Sequence, residues 1–240
     1  MERGVAHQIN NYLGENNLLP IFQSAYRNQH STETAVLRVL SDICSAADLG
    51  RITLLGLLDL TAAFDTVDHH ILVNRLHFSY GLGGTVLDWF RSYLTGRSQC
   101  IRSGGVLSAS TSVLCGVPQG SVLGPMLFLL YSADVIHITT RHGFSVHSYA
   151  DDLQIYGHSS PASCSDLVQR MSACVSEIST WMASNRLQLN PSKTEVIWLG
   201  SSRRLSFCPR GDLVIAGASV KASTYVRDLG VMIDGCLSME

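Results

Sequence analysis

The pattern of hydrophobic and polar positions is clearest between Ile52 and Leu58, where almost every residue is apolar and no alternation with polar residues occurs. Such a run is typical of a β-strand that is buried on both faces of a sheet. The residue that follows the run is Asp59. A carboxylate at the end of a buried strand loses hydration and needs a basic or metallic partner. Asp59 is therefore a candidate functional residue.

Other stretches show the three-to-four-residue apolar spacing of amphipathic helices. The clearest of them runs from Cys164 to Asn185. Ser31 or Thr32 is a suitable N-cap for a second helix, which closes at Gly50. Further helices are predicted over residues 1–16, 68–78, 85–93 and 122–136.

Shorter runs with strand-like patterns are spread over the rest of the chain. Weak alternation around Gly104-Gly105 predicts a hairpin formed by residues 97–102 and 106–114. Three more strands are predicted at residues 195–199, 213–215 and 229–233. The order of strands and helices predicts an α+β fold with an antiparallel sheet.

Two adjacent acids, Asp151 and Asp152, lie between the apolar runs 144–149 and 153–156. This pattern predicts a β-hairpin with carboxylates at its tip. Neighbouring like charges repel, and a divalent cation is the usual compensation. An ordinary polar turn is the alternative, since Asp is a common turn residue. Together with Asp59 on a separate strand, however, these acids could hold two divalent ions about 3.5–4 Å apart, as two-metal phosphoryl transfer requires.

Composition restricts the class of protein. Hydrophobic residues make up 46% of the chain and charged residues 15%, which indicates a globular protein. A net charge of −2 is unusual for a protein that binds nucleic acid, so either the partner is of another kind or the basic parts lie outside this chain. Lys193 and Lys221 are the only lysines.

The cysteines and the apolar runs of the sequence indicate in which cellular compartment the protein is expected. The seven cysteines are scattered without C-x-x-C spacing, so we expect neither zinc nor a disulfide framework. No secretory signal is visible, and the longest apolar runs are shorter than the ~20 residues of a membrane span. We therefore expect an intracellular protein of the nucleus or cytoplasm, which is not secreted and does not bind a membrane.

Three ordered motifs resemble reverse transcriptases: Leu58–Asp65 (LDLTAAFD), Gly116–Pro125 (GVPQGSVLGP) and Tyr149–Asp152 (YADD). Two others, Gln23–Ala35 and Leu189–Glu195, resemble the subgroup encoded by non-LTR (LINE-type) retrotransposons. The resemblance covers nearly the whole chain. It implies an RNA-directed DNA polymerase that adds dNTPs to the 3′-OH of a DNA primer on an RNA template.

The same resemblance implies a metal site and a fold. Asp59, Asp151, Asp152 and the carbonyl of Leu60 would bind two Mg²⁺ ions, with Mn²⁺ as an alternative. The implied fold is a polymerase palm, an antiparallel sheet backed by helices, with partial fingers built of helices and a β-hairpin.

Further roles are implied at matching positions. Phe64 would be the steric gate that excludes a ribose 2′-OH, and Lys193 would protonate or neutralise the departing pyrophosphate. Gln119 and Gly120 would contact the incoming nucleotide and the template strand. Residues 228–231 resemble the region that grips the primer terminus.

The resemblance also implies a domain organisation. Residues 1–50 and 68–120 would be fingers-like, and residues 51–67 and 121–240 palm-like. A basic N-terminal fingers segment, the thumb and an endonuclease are expected outside this chain, as other parts of one polyprotein. Their basic residues would account for the charge of −2, and without them we expect little or no activity.

Other interpretations remain open. The chain could be a non-catalytic, truncated retroelement product that at most binds nucleic acid. An RNA-directed RNA polymerase shares the metal chemistry, but an aromatic gate at Phe64 argues against it. A metal-dependent phosphohydrolase would not need the Pro-Gln-Gly turn. Residue by residue, Phe64 could be a core residue, Lys193 a solvated lysine, and Asp65 a structural residue of its turn.

Overall fold

The computed structural model describes residues 1–209, 212–215 and 217–237. Its helices are α1 (Glu2–Glu15), α2 (Thr32–Asp48), α3 (His69–Phe78), α4 (Gly84–Leu94), α5 (Leu123–Ser132), α6 (Asp134–Arg141), α7 (Cys164–Ser184) and α8 (Ser202–Leu205). Short 3-10 helices cover Pro161–Ser163 and Pro191–Lys193. Its strands are β1 (Ile52–Leu58), β2 (Ser98–Gln99), β3 (Arg102–Ser103), β4 (Val106–Leu107), β5 (Thr111–Ser112), β6 (Ser145–Tyr149), β7 (Asp152–Ser159), β8 (Glu195–Leu199), β9 (Asp212–Ile215), β10 (Ala218–Ser223), β11 (Tyr225–Asp228) and β12 (Val231–Asp234).

The chain divides into two compact units. The helical unit contains residues 1–20, 62–133 and 185–187. The sheet unit contains residues 21–61, 134–184 and 188–240. Compactness alone does not say which residues act as fingers and which as palm, so that division of the chain stays a prediction.

A six-stranded sheet organises the sheet unit, with the strand order β6-β7-β1-β8-β10-β9. The predicted buried strand, β1, lies inside it and pairs antiparallel with both β7 and β8. The register places Leu58 opposite Leu153, so β1 ends where β7 begins. The predicted α+β class and antiparallel sheet are confirmed. The exception is β8, which pairs parallel with β10.

Helix α2 supplies one layer of the core of the sheet unit. It begins at a capping box, in which Ser31 Oγ accepts from the Thr34 amide at 3.2 Å and Thr34 Oγ1 accepts from the Ser31 amide at 2.8 Å. The N-cap predicted at Ser31 is thus confirmed. The apolar stripe of α2 packs with residues of five strands, three in the six-stranded sheet and two in the hairpin β11–β12. The cluster contains Val36, Val39, Leu40, Ile43, Leu55, Tyr156, Ile197, Leu199, Val226 and Ile233.

The helical unit is built around α5, whose residues from Met126 to Tyr131 are all buried. Tyrosine hydroxyls satisfy backbone carbonyls inside this unit: Tyr80 donates to Leu130 O at 3.0 Å and Tyr131 to Asn185 O at 2.5 Å. Buried polar groups need such partners because burial without one is costly. The stretch Leu123–Arg141 is long and apolar enough for a membrane span, but 61% of it is buried, as in the core helix of a globular protein, so it is weak evidence for one.

Two predicted elements differ from the structure. The strand predicted at residues 229–233 is the second half of a hairpin, in which β11 and β12 are joined at Leu229-Gly230. Positive φ angles of +46° and +94° at these two residues make the turn. The helix predicted over residues 122–136 is divided into α5 and α6 at Ala133.

Candidate active site

The acidic pair lies on a tight hairpin, as the sequence predicts. Strands β6 and β7 pair antiparallel, with Tyr149 opposite Asp152. Ala150 and Asp151 form the connecting turn, and Ala150 has a φ of +57°. Side chains alternate along a strand, so Asp152 and Gln154 share one face of β7.

Asp59 follows β1 and therefore lies beside the start of β7. Its backbone carbonyl accepts a hydrogen bond from the Asn190 amide at 2.9 Å. Its carboxylate oxygen Oδ2 is buried and has no hydrogen-bond partner among the described residues. The closest opposite charge is the Lys193 ammonium, whose Nζ is 3.4 Å from Oδ2. Of the two kinds of partner expected for this acid, a base or a metal, the described residues provide a base.

Lys193 is positioned by a short, well-capped turn. The Asn190 side chain accepts from the Ser192 amide at 3.2 Å and from Ser192 Oγ at 2.6 Å, which fixes the start of the 3-10 helix Pro191–Lys193. The Lys193 side chain remains 65% exposed. Its ammonium therefore contacts Asp59 while it keeps access to solvent.

A cavity of about 540 Å³ in the sheet unit is lined by Asp59, Asp152 and Lys193, with Gln154 and Asp228. Asp151, on the turn, is not among the residues that line it. The pKa of Asp152 is raised, first by burial and then by the negative charges of Asp151 and Asp59, while Lys193 opposes the shift. Asp152 is therefore repelled by two neighbouring carboxylates and attracted by one ammonium.

The carboxylates of this cavity meet one requirement of a divalent-cation site, which is the presence of oxygen ligands. The Oδ2 of Asp59, which accepts no hydrogen bond from the described residues, and the carboxylate of Asp152 are oxygen donors of the kind that Mg²⁺ prefers. Among residues 1–209, 212–215 and 217–237, however, no group of three or more His, Cys, Asp or Glu side chains is arranged to hold a metal ion. Leu60, the predicted carbonyl ligand, forms an isolated bridge with Leu189, and its side chain is buried. The metal ligands stay predictions.

A buried polar pair lies in the cavity wall, and the sequence did not predict the pairing, although Asp228 is in the segment that resembles the primer-gripping region. Asp228 and Gln154 are 3% and 1% exposed, and Gln154 Nε2 donates to Asp228 Oδ1 at 2.6 Å. Burial, followed by the charge of Asp152, raises the pKa of Asp228 to about 6, although the bond from Gln154 lowers it. Gln154 could have been found from its two-residue spacing to Asp152. The signal at Asp228 was the resemblance of residues 228–231 to the primer-gripping region, which does not predict a contact with Gln154.

The remaining predicted site residues belong to the helical unit. Phe64 is partly buried and stacks on Phe128, with ring centroids 4.6 Å apart. Gln119 Nε2 donates to Asp65 Oδ1 at 2.8 Å, a bond that ties the Pro-Gln-Gly turn to the segment after Phe64. Gly120 has a φ of +78° and open space around its Cα. Their roles toward a nucleotide stay predictions.

His147, on β6, is a buried histidine next to the acidic hairpin. Its Nε2 lies 2.8 Å from Ser24 Oγ, and the side chain is 6% exposed. Burial lowers its pKa from 6.5 to about 4, with further lowering by Arg38 and His30 and an opposing effect of Asp42. The imidazole is therefore neutral in the folded protein at pH 7.

We expect His147 to make the fold acid-sensitive. Between pH 6.5 and about 4 the unfolded chain takes up a proton that the folded chain does not, so stability falls as the pH is lowered through this window. The loss attributable to His147 should be of order 2–3 kcal/mol. Chemical denaturation at pH 7.5 and 4.5 should show that His147→Gln reduces the pH dependence, whereas His137→Gln, on the exposed side of α6, does not. An unchanged pH dependence in His147→Gln would contradict the assignment.

Comparison with known sequences places the chain in context. The family described as "Reverse transcriptase (RNA-dependent DNA polymerase)" matches residues 1–233. A probable RNA-directed DNA polymerase from transposon BS of Drosophila melanogaster is 29% identical over 80% of this chain and 21% of its own length. A probable RNA-directed DNA polymerase from transposon X-element of Drosophila melanogaster is 29% identical over 97% of this chain and 25% of its own length. The chain thus spans about a quarter or less of these relatives.

Solved structures show a similar fold. Apo telomerase from Candida tropicalis, truncated from its C-terminal domain, superposes with a TM-score of 0.66 over 99% of this chain and 44% of its own, at 13% identity. Telomerase from Candida albicans, in complex with a fragment of telomeric RNA, superposes with a TM-score of 0.55 over 90% of this chain and 36% of its own, at 14% identity. At these identities the likeness concerns the fold alone.

Proposed function

Since the chain belongs to the reverse transcriptase (RNA-dependent DNA polymerase) family, we propose that it carries catalytic residues of an RNA-directed DNA polymerase that adds dNTPs to a primer on an RNA template. Its similarity to the polymerases of Drosophila transposons confirms the resemblance to non-LTR retrotransposon proteins. The observation that carries the proposal is the cavity in which Asp59 and Asp152, from two paired strands, meet Lys193.

In the proposed reaction the primer 3′ hydroxyl releases its proton to solvent, and its oxygen forms a bond to the α-phosphorus of the dNTP. The bond from that phosphorus to the bridging oxygen breaks, and pyrophosphate leaves. Asp59, Asp151, Asp152 and the Leu60 carbonyl would hold two divalent cations, Mg²⁺ or Mn²⁺. Bound there, the ions would supply charge neutralisation for the phosphates and a lower pKa for the primer hydroxyl.

Lys193 is the proposed proton donor to the leaving pyrophosphate. Its ammonium is 3.4 Å from Asp59 Oδ2, and the side chain is mostly exposed. A partly solvated lysine on a capped turn can reach an anion without losing a buried ion pair. Gln119 and Gly120 are the proposed contacts to the nucleotide and the template strand, where glycine permits close approach of the backbone.

Primer extension tests the proposed function. Because the chain spans 21–25% of its two relatives' lengths, the assay uses both the 240-residue chain and a longer product of the same reading frame. We expect extension on an RNA template with dNTPs and Mg²⁺, stronger in the longer product, and none with EDTA. If neither protein extends a primer but either binds the RNA, the proposal is wrong and the non-catalytic alternative holds.

Phe64 is the proposed determinant of sugar specificity. Its ring is held by stacking on Phe128, and a rigid ring facing the sugar would leave no room for a 2′-OH. We expect Phe64→Ala to raise the ratio of rNTP to dNTP incorporation by about 10-fold or more, measured as kcat/KM for single-nucleotide addition. Phe64→Tyr keeps the ring and serves as the control. An unchanged ratio in Phe64→Ala would rule out the gate.

Partners and location are proposed on the same basis. RNA template, DNA primer and dNTPs are the substrates of the proposed activity, and the thumb and endonuclease would lie elsewhere in one polyprotein. The cysteines of the sequence are scattered without C-x-x-C spacing, and on that pattern we propose a reducing compartment such as the nucleus or cytoplasm.

A further inference from the structure

The turn that carries the acidic pair is held by a side chain from a distant part of the chain. Gln23 Oε1 accepts a hydrogen bond from the Ala150 amide at 3.0 Å, and Gln23 Nε2 donates to the Ala150 carbonyl at 3.3 Å. One side-chain amide thus engages both polar groups of a single backbone residue. Gln23 is 4% exposed, so water does not compete for these bonds.

Ala150 has a backbone conformation that needs support. Its φ of +57° lies in the left-handed region, which residues with a Cβ rarely adopt. Asp151 follows in the same turn, and Asp152 is the first residue of β7. A change of φ at Ala150 would redirect both carboxylates, because they are attached to the peptides that follow it.

The Gln23 backbone is anchored independently of its side chain. The Ser24 amide donates to Ser148 O at 3.0 Å, and the Ser148 amide donates to Phe22 O at 2.8 Å, so residues 22–24 extend the sheet at the edge formed by β6. Gln23 Oε1 also accepts from the Ala25 amide at 2.9 Å, which fixes its rotamer. The side chain therefore reaches the turn from a rigid support, and replacing it should leave the strand addition intact.

We propose that Gln23 is a positioning residue, which holds Ala150 in the left-handed conformation and thereby sets the directions of the Asp151 and Asp152 carboxylates. The catalytic consequence rests on the function proposed above. The role of Gln23 in holding the turn does not rest on that function, since it follows from the hydrogen bonds alone. A merely structural residue would anchor the 22–24 segment to the sheet, a task that the backbone bonds to Ser148 already perform.

The first experiment measures the turn itself in the 240-residue chain. Gln23→Met keeps the approximate volume of the side chain and removes both bonds to Ala150. We expect exchange of the Ala150 amide hydrogen to become about 10-fold faster or more, while amides of β1 and α2 keep their exchange rates. Gln169→Met, at an exposed position of α7, is the matched control and should change neither. Unchanged exchange at Ala150, or faster exchange throughout the sheet unit, would overturn the proposal.

The second experiment measures catalysis in whichever protein extends a primer. We expect Gln23→Met to lower kcat by about 10-fold or more, with little change in KM for the dNTP, because misdirected carboxylates impair the chemical step. Adding Ala150→Gly should recover part of that loss, since glycine adopts a positive φ without support. No loss of kcat, or no recovery with glycine, would overturn the catalytic part. If no protein extends a primer, the proposed function fails and the exchange experiment still decides the role of Gln23.

Discussion

Asp59→Asn should lower the rate of primer extension by about 100-fold or more, the size of effect seen when one electrostatic group is removed from an active site. The substitution keeps the shape of the side chain and removes its charge. Asp59 Oδ2 is buried, accepts no hydrogen bond from the part of the chain that the structure describes, and belongs to a residue that lines the cavity with Asp152. A neutral amide there is a poor ligand for a divalent cation and leaves the Lys193 ammonium without its closest opposite charge.

We expect Asp59→Asn to change the stability of the fold much less than it changes the rate of primer extension. Asp59 is one of the charges that raise the pKa of Asp152, so its removal relieves repulsion within the cluster. We expect a midpoint of chemical denaturation close to that of the unaltered chain. Asp166→Asn, at an exposed position of α7, is the matched control for loss of one carboxylate. Full activity in Asp59→Asn would contradict the proposed site, and so would full activity in Asp151→Asn.

Gly116→Ala should strongly lower the free energy of unfolding, because the added methyl group would meet backbone atoms. Gly116 has a φ of +87°, and a Cβ there would lie 2.9 Å from Asp65 O and 3.0 Å from Asp65 Cα. Both are backbone atoms, and the Gly116 amide is itself bonded to Val67 O at 2.7 Å. The turn therefore has little freedom to move away. The left-handed conformation and the forced backbone shift together should cost about 3–5 kcal/mol.

Gly120→Ala provides the matched comparison in the same turn. Its φ of +78° is similar, but nothing lies within 4 Å of a Cβ placed there. We expect it to cost about 1–2 kcal/mol, the conformational part alone. Denaturant titration of both variants measures the difference. Equal losses of stability would show that the contact with Asp65 does not confine the turn.

The elements that the sequence predicted well are those whose signals are local. The apolar run of β1, the capped helix α2 and the hairpin β6–β7 each depend on residues close together in the chain, and each is present. The division of the helix predicted over 122–136 was missed because the residues near Ala133 carry no Gly or Pro break. The turn at Leu229-Gly230 was missed because Leu229 adopts a positive φ. Residues with a Cβ rarely adopt this conformation, so a leucine does not indicate a turn.

The sequence predicted the residue types of the candidate site better than it predicted their arrangement in space. Asp59 was identified from its place at the end of a buried strand, and its predicted need for a basic or metallic partner is met at least by Lys193. Gln23 and Asp228 both lie in segments that carry the family resemblance, but neither segment predicts the contact that its residue makes. Gln23 lies 127 positions from Ala150, and Asp228 lies 74 from Gln154. Such pairs are brought together by tertiary packing between distant segments, which a single sequence does not encode in any one window.

The sequence by itself determined the fold class, the family resemblance and the residue types that the proposed chemistry requires, because apolar periodicity and short motifs are properties of neighbouring residues. Only the tertiary structure decided which groups share the cavity. It placed Asp59, Asp152 and Lys193 together, left Asp151 on the turn, and added the buried pair of Gln154 and Asp228. The physical reason is that antiparallel pairing of β1 with β7 and β8 sets which strand ends meet, and that burial within the fold raises the pKa of Asp152 and Asp228.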